Sequence, residues 1–175
     1  DLLNGKQVNI SENQAAWHPK YRNEYQSEKD EIKYQELFDS SKNIVTLGIG
    51  GSFEGPKLLI ESLEITKAKH IFITGSDKRE FDTKLNGLEP NETLFIISSK
   101  SFTTEETMSS LKSAITWSGD INRFIAITAN RSEAAKYNIN KVIKFDKEIG
   151  GRYSIWSDIS PVSYTHLRAH ETSNH

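Results

Sequence analysis

Short apolar runs that alternate with helix-like segments constrain the fold of this 175-residue chain more than any other feature. The runs are rich in β-branched and aromatic residues and are continuous rather than alternating, which is typical of strands buried on both faces. The predicted strands are 44–49, 70–74, 93–98, 124–128 and 141–145. The predicted helices between them are 55–63, 77–86, 103–117 and 131–137. The alternation predicts an α/β protein with a parallel sheet between helices on both of its faces.

The segment before the first strand is charged and helix-like. Residues 24–39 are predicted to form a helix with a thin apolar stripe of Ile32, Leu37 and Phe38, packed on the edge of the sheet. Residues 1–23 are predicted to form an irregular or short-helical arm. The expected organisation is therefore an arm with an edge helix over 1–42 and a main domain over 43–159.

Composition excludes several classes of partner. The 22 basic and 24 acidic residues give a net charge of −2, which provides no general attraction for nucleic acid or an anionic membrane. There is no cysteine, so disulfides and thiolate metal sites are excluded. No apolar run approaches the roughly 20 residues of a membrane helix, and no signal peptide is visible. We expect a cytoplasmic protein with no nucleic-acid or membrane partner.

A glycine-rich turn follows the first predicted strand in the sequence GIGGSFEGPK, residues 48–57. The dinucleotide fingerprint fails here because Phe53 stands where its third glycine is needed, and the P-loop fails because Pro56 stands where lysine is needed. Asp77, after the second strand, imitates the ribose-binding acid of a dinucleotide site. Glycine-rich turns of this kind usually hold an anionic ligand, and the alternative is a neutral structural turn without a ligand. On either interpretation this turn lies at the carboxyl end of a strand, where ligands of such sheets bind.

The loop after the third strand, SKSFTTEET at 99–107, carries the clearest chemistry. Its hydroxyl side chains and the amides of the following helix suit a phosphate monoester held by neutral donors. Thr103 and Glu106 also fit a capping box, and the two interpretations are compatible. Lys100 is predicted either to add charge to the site or to point to solvent.

A third turn follows the fifth strand and contains Gly150, Gly151 and Arg152. The glycines allow close approach of the backbone, and Arg152 is a candidate to stabilise negative charge developing on a substrate oxygen. The alternative for Arg152 is a salt bridge to a surface carboxylate.

Together the segments GIGGSFEGP, SKSFTTEET and GGRYSIWS resemble the signature segments of the glucose-6-phosphate isomerase family, in the same order. The N-terminal NGKQVNISENQAAWH resembles another segment of that family, so the likeness covers roughly residues 4–159. It implies a sugar-isomerase (SIS) domain, a three-layer αβα sandwich with a five-stranded parallel sheet. Three residues depart from the family pattern: Gln14, Ser101 and Asp158.

The resemblance also implies the roles of individual residues. The substrate phosphate is expected on Ser99, Ser101 and Thr104, with Lys100 in the same loop. The sugar is expected beside Gly51 and Ser52, and its C1–C2 region near Arg152. The predicted site therefore consists of Gly51, Ser52, Ser99, Lys100, Ser101, Thr104 and Arg152.

The function implied is interconversion of glucose 6-phosphate and fructose 6-phosphate through an enediol, without a metal or organic cofactor, by a homodimer when the protein is full length. The resemblance places the glutamate base, the histidine and the lysine of the reaction after the arginine turn, in segments that this sequence does not contain. Glu105 and Glu106 are interpreted as capping residues. We therefore expect weak binding of a hexose 6-phosphate without turnover. The alternative is a sugar-phosphate-sensing SIS module that does not catalyse.

The last residues have a different character. VSYTHLRAHET at 162–172 resembles the translation of a transposon-type sequencing-library adapter. We expect residues 160–175 to be a non-native tail, with a native tail as the alternative. His166 and His170 are four apart but have no third candidate ligand nearby, so no metal site is predicted.

Overall fold

The computed structural model describes residues 34–63 and 68–145. Within these ranges the strands are β1 (Asn43–Leu47), β2 (Lys69–Ile73), β3 (Thr93–Ser98), β4 (Phe124–Thr128) and β5 (Val142–Lys144). The α-helices there are α1 (Gln35–Asp39), α2 (Gly51–Leu63), α3 (Lys78–Leu85), α4 (Glu105–Ser118) and α5 (Arg131–Ala135). Short 3₁₀ turns at Pro90–Glu92 and Ile121–Arg123 lead into β3 and β4. None of the described helices is long and apolar enough to cross a membrane.

The strands pair in parallel in the order β2-β1-β3-β4-β5, which confirms the predicted α/β class and five-stranded parallel sheet. After β1 the chain forms β2 at one edge of the sheet. It then crosses to the other side of β1 to form β3, and β4 and β5 follow toward the opposite edge. The carboxyl ends of β1 and β3 therefore flank the switch point, where the crevice of an open α/β sheet lies. Both loops that carry candidate residues in the described part of the chain emerge at this crevice.

Each face of the sheet is buried by its own layer of helices. On one face, Val45, Phe95 and Ile97 pack with residues of α3 and α4 such as Phe81 and Leu111. On the other face, β-strand isoleucines pack with Phe38 of α1, and Phe53 of α2 contacts Phe72 edge-on, with ring centroids 5.5 Å apart. Strands β1 and β3 are buried at every position, which explains their continuous apolar runs.

Two packing predictions are wrong. Phe38 packs on a face of the sheet rather than on its edge, because it belongs to the buried cluster that includes Ile44 and Ile96 of the inner strands. The apolar pattern of 55–63 predicts that Leu58, Leu59 and Leu63 share one apolar face, but Leu58 is 60% exposed, whereas Pro56 and Ile60 of α2 are buried. The described part of the chain does not include the side chains of Leu59 and Leu63. It also does not include residues 1–33, to which Ile32 belongs.

The start of α2 also differs from the prediction. The helix begins at Gly51, four residues before the predicted start, so that Gly51 and Ser52 belong to its first turn. Gly50 makes the turn with φ +59°, and its carbonyl accepts hydrogen bonds from the amides of Phe53 and Glu54. Pro56, which lacks an amide hydrogen, lies inside the helix and removes one intrahelical hydrogen bond.

Gly48 is the point where β1 and β3 approach too closely for a side chain. A Cβ at this position would lie 3.0 Å from the carbonyl oxygen of Ser98 and 3.2 Å from the Cβ of Ser52. We predict that Gly48→Ala lowers the free energy of unfolding by about 1–3 kcal/mol, because backbone atoms must shift to admit the methyl group. Chemical denaturation of the full chain measures the change.

Gly75→Ala is the matched control, since a Cβ there would meet no atom nearer than 3.8 Å. It should be neutral or should raise stability by about 0.4–1 kcal/mol through the unfolded chain. Equal destabilisation by both substitutions would contradict the close approach at Gly48.

Candidate functional site

An open cleft of about 820 Å³ lies at the carboxyl ends of β1, β3 and β4. Ile49 and Ser52 line it from the β1 side, and Ala129 and Asn130 line it from the β4 side. The residues between them come from the end of β3 and the start of α4: Ser98, Ser99, Lys100, Ser101, Thr104 and Thr107. Five of the seven predicted site residues therefore lie together in one cleft. Gly51 is adjacent to Ser52 in the first turn of α2, and Arg152 lies outside the described residues.

The serines of the β3–α4 loop accept hydrogen bonds from the protein. The Ser99 hydroxyl accepts from the amide of Phe102 at 3.1 Å. The Ser101 hydroxyl accepts twice from Thr103, from its amide at 3.3 Å and from its hydroxyl at 2.8 Å. Because these oxygens act as acceptors within the loop, the hydrogen of Ser101 is left to donate, and one hydrogen of the Ser99–Thr104 hydroxyl pair is left as well, since only one of the two donates to the other. The loop therefore presents hydroxyl donors to the cleft, which suits an anion.

Helix α4 begins at this loop without a side-chain cap. Thr104 is the N-cap residue, with extended φ/ψ of −63° and 117°, and its side chain makes no capping hydrogen bond among the described residues. The Thr104 hydroxyl instead lies 3.4 Å from that of Ser99. The predicted capping box of Thr103 and Glu106 is therefore not formed, because Thr104 is the N-cap residue and the Thr103 hydroxyl donates to Ser101. The unsatisfied amides and the helix dipole of this 14-residue helix favour an anion here.

Phe102 fixes the shape of the loop. Its backbone has φ +57°, a left-handed conformation that is uncommon for a bulky residue, and its ring is 1% exposed. The ring packs in the core and meets Tyr137 edge-on, with centroids 6.1 Å apart. Burial of the ring compensates a backbone strain of about 1–3 kcal/mol. The core therefore holds the turn that directs Ser99, Ser101 and Thr104 toward the cleft.

Strand β4 holds the same loop from the other side. The Lys100 carbonyl accepts a hydrogen bond from the Ala129 amide and another from the Thr128 hydroxyl, both at 3.1 Å. Thr128 is 1% exposed, so this contact is shielded from water. The Lys100 side chain is half-buried at the cleft, where it contributes a positive charge.

Ser98 is a cleft residue that the sequence analysis assigned only to a strand. It is 2% exposed, and its hydroxyl has no hydrogen-bond partner among the described residues. Asn130 was likewise missed, although it follows a predicted strand just as the serines of the β3 loop do. Position at a strand's carboxyl end was the available signal for both residues.

Other predicted features have structural roles. Asp77 accepts a hydrogen bond from the Arg79 amide at 2.8 Å and so caps α3, which accounts for its position without a ribose. Glu105 and Glu106 are exposed in the first turn of α4, and neither lines the cleft. Within the described ranges, no cluster of three or more metal-ligating side chains occurs.

The buried hydroxyls of Ser98 and Ser110 allow a matched comparison of stability. Ser110 is also buried, but its hydroxyl donates to the carbonyl oxygen of Gly75. We predict that Ser98→Ala leaves stability unchanged or raises it by up to about 1 kcal/mol, because an unpartnered polar group leaves the interior. Ser110→Ala should lower the free energy of unfolding by about 1 kcal/mol or more, since it leaves the Gly75 carbonyl without its partner.

Urea denaturation of the full chain and the two variants measures both changes. A loss for Ser98→Ala that equals the loss for Ser110→Ala would show that the Ser98 hydroxyl has a partner in solution.

Comparison with known proteins identifies the group to which the chain is similar. The sequence profile of the phosphoglucose isomerase family matches residues 33–167. The chain is 40% identical over 141 residues to the glucose-6-phosphate isomerase of Methylibium petroleiphilum, covering 73% of this chain and 26% of that protein. It is 31% identical over 183 residues to the enzyme of Rhizorhabdus wittichii, covering 90% of this chain and 36% of that protein. The chain thus spans about a third or less of these relatives.

A solved structure supports the fold. The glucose-6-phosphate isomerase of Chlamydia trachomatis superposes with a TM-score of 0.67 at 21% identity, covering 87% of this chain and 32% of that one. The profile match covers more than half of the chain, and the curated relatives agree with it in name. The chain belongs to the phosphoglucose isomerase family.

Proposed function

We propose that this chain carries the phosphate-binding part of a glucose-6-phosphate isomerase and binds a hexose 6-phosphate in the cleft beyond β3. The observation that carries the proposal is the uncapped start of α4 beside three hydroxyl residues, Ser99, Ser101 and Thr104. An arrangement of neutral donors with one nearby lysine suits a phosphate group.

The phosphate would lie against the first turn of α4. The amides there are donors that have no acceptor within the helix. The serine hydroxyls of the loop add further donors, because their oxygens already accept hydrogen bonds within the loop. The donors are held in place before the ligand arrives, because the Phe102 ring and the Lys100 carbonyl anchor the loop at two points. Little conformational entropy is then lost when the phosphate binds.

The sugar would extend from the phosphate into the crevice between β3 and β1, beside Ser52 and the first turn of α2. Isomerisation transfers a proton between C1 and C2 through an enediol, and it needs a base and a group that stabilises the developing oxyanion. Arg152 is proposed for the second role. No carboxylate or imidazole lines the cleft in the described part of the chain, so the base is proposed to come from further segments of the family.

On this proposal the 175-residue chain binds the substrate without turnover, and the whole protein catalyses as a cytoplasmic homodimer. An isomerase is favoured over a sensing module because the curated relatives at 31–40% identity are named as glucose-6-phosphate isomerases.

The proposal predicts specific losses of binding. In Thr104→Val and in Ser99→Ala, the dissociation constant for 6-phosphogluconate should rise about tenfold or more, because a hydrogen bond to a charged group contributes about 1.5–3 kcal/mol. Ligand-observed NMR on the purified chain measures the constants.

Thr116→Val is the matched control, since Thr116 is exposed and its hydroxyl bonds to the Lys112 carbonyl near the far end of α4. It should bind as the unmodified chain does. Unchanged binding by both Thr104→Val and Ser99→Ala would contradict the proposed phosphate position.

A further inference from the structure

Asn130 lines the cleft from the β4 side, and neither the sequence motifs nor the proposed function assigns it a role. It occupies the N-cap position of α5, where an asparagine ordinarily accepts a hydrogen bond from a backbone amide of the helix. Its side chain makes no such capping bond among the described residues. The carboxamide is therefore not oriented by a backbone amide of the helix that it precedes.

Ser132 supplies that orientation. The Ser132 hydroxyl donates to Oδ1 of Asn130 at 2.8 Å, which marks this end of the carboxamide as the acceptor. The opposite end, Nδ2, carries two hydrogens and donates to none of the described residues. Asn130 thus lines the cleft with a side chain that carries two donor hydrogens accepted by no described residue.

The backbone around Asn130 is tied to the phosphate loop. The Asn130 amide donates to the Thr128 hydroxyl at 3.0 Å, and that hydroxyl donates to the Lys100 carbonyl at 3.1 Å. The Ala129 amide donates to the same carbonyl. Asn130 is therefore held at a fixed position relative to the β3–α4 loop.

The order of strands decides which part of the ligand Asn130 faces. In the sheet, β3 lies between β1 and β4, so Asn130 and Ser52 flank the loop from opposite sides. The crevice for the sugar lies between β1 and β3, on the Ser52 side. Asn130 thus adjoins the phosphate rather than the sugar.

We propose that Nδ2 of Asn130 donates a hydrogen bond to a phosphate oxygen of the bound hexose phosphate, and that Ser132 is the residue that positions it. This inference rests on the proposed function, because it needs the phosphate in the β3–α4 loop. It makes Asn130 a phosphate-binding residue from a second loop, so that the phosphate is held between the carboxyl ends of β3 and β4.

The test compares the dissociation constants of inorganic phosphate and of 6-phosphogluconate for the full chain and its variants. Asn130→Asp keeps the shape of the side chain but replaces both donor hydrogens by a charged oxygen. It should therefore raise the dissociation constants of both ligands about tenfold or more. Asn130→Ala should weaken both ligands less, because no repulsion is introduced. Ser132→Ala should give a small loss for both ligands, and Ser132→Thr, which retains the hydroxyl, should restore binding.

Asn140→Asp is the control, because it makes the same chemical change and the same change in net charge at an exposed residue before β5, at the opposite end of the sheet. It should bind both ligands as the unmodified chain does. Thermal unfolding of each variant establishes that the compared chains are folded.

The outcomes separate the two proposals. If Thr104→Val and Ser99→Ala lose binding while Asn130→Asp binds normally, this inference is wrong and the proposed function stands. If Asn130→Asp weakens the binding of 6-phosphogluconate but not that of inorganic phosphate, the inference is also overturned, because Asn130 would then contact the sugar. If the folded, unmodified chain binds neither ligand, both proposals are wrong.

Discussion

The left-handed turn at Phe102 is the constraint on which the candidate site depends. A buried ring and a backbone at φ +57° reverse the chain between β3 and α4. This reversal lets the Ser99 hydroxyl accept a hydrogen bond from the Phe102 amide, and it leaves the start of α4 without a capping side chain. The apolar core therefore determines the polar geometry of the cleft, because the ring could leave the core only if the loop changed conformation.

The parallel sheet extends that constraint to the neighbouring loops. Because β3 is flanked by β1 and β4, the turns that follow these three parallel strands meet at the carboxyl ends of the strands. Gly48 permits the close approach on the β1 side, and Thr128 joins the β4 turn to the Lys100 carbonyl on the other. The site is thus formed by contacts between loops, each of which is positioned by a buried strand.

The sequence predicted the features that depend on hydrophobic and hydroxyl patterns, and it missed features that depend on particular hydrogen bonds or on tertiary contacts. Buried strands such as 93–98 are visible as apolar runs, and the hydroxyl-rich loop is visible as a cluster. The burial of Ser98 depends on tertiary packing that no short window contains. The start of α2 at Gly51 and the shift of the N-cap from Thr103 to Thr104 follow from local hydrogen bonds to Gly50 and Ser101 that the residue types alone do not reveal. Asn130 was missed because a single asparagine after a strand is more often a turn residue.

The proposed site requires that an anion bind at the first turn of α4. Amide NMR of the isotopically labelled chain during titration with inorganic phosphate tests it most directly. We expect the largest saturable chemical-shift changes at the amides of Ser101 and of the first turn of α4, Glu105, Glu106 and Thr107. Saturable shifts that avoid this turn, or their absence in a folded chain, would contradict it.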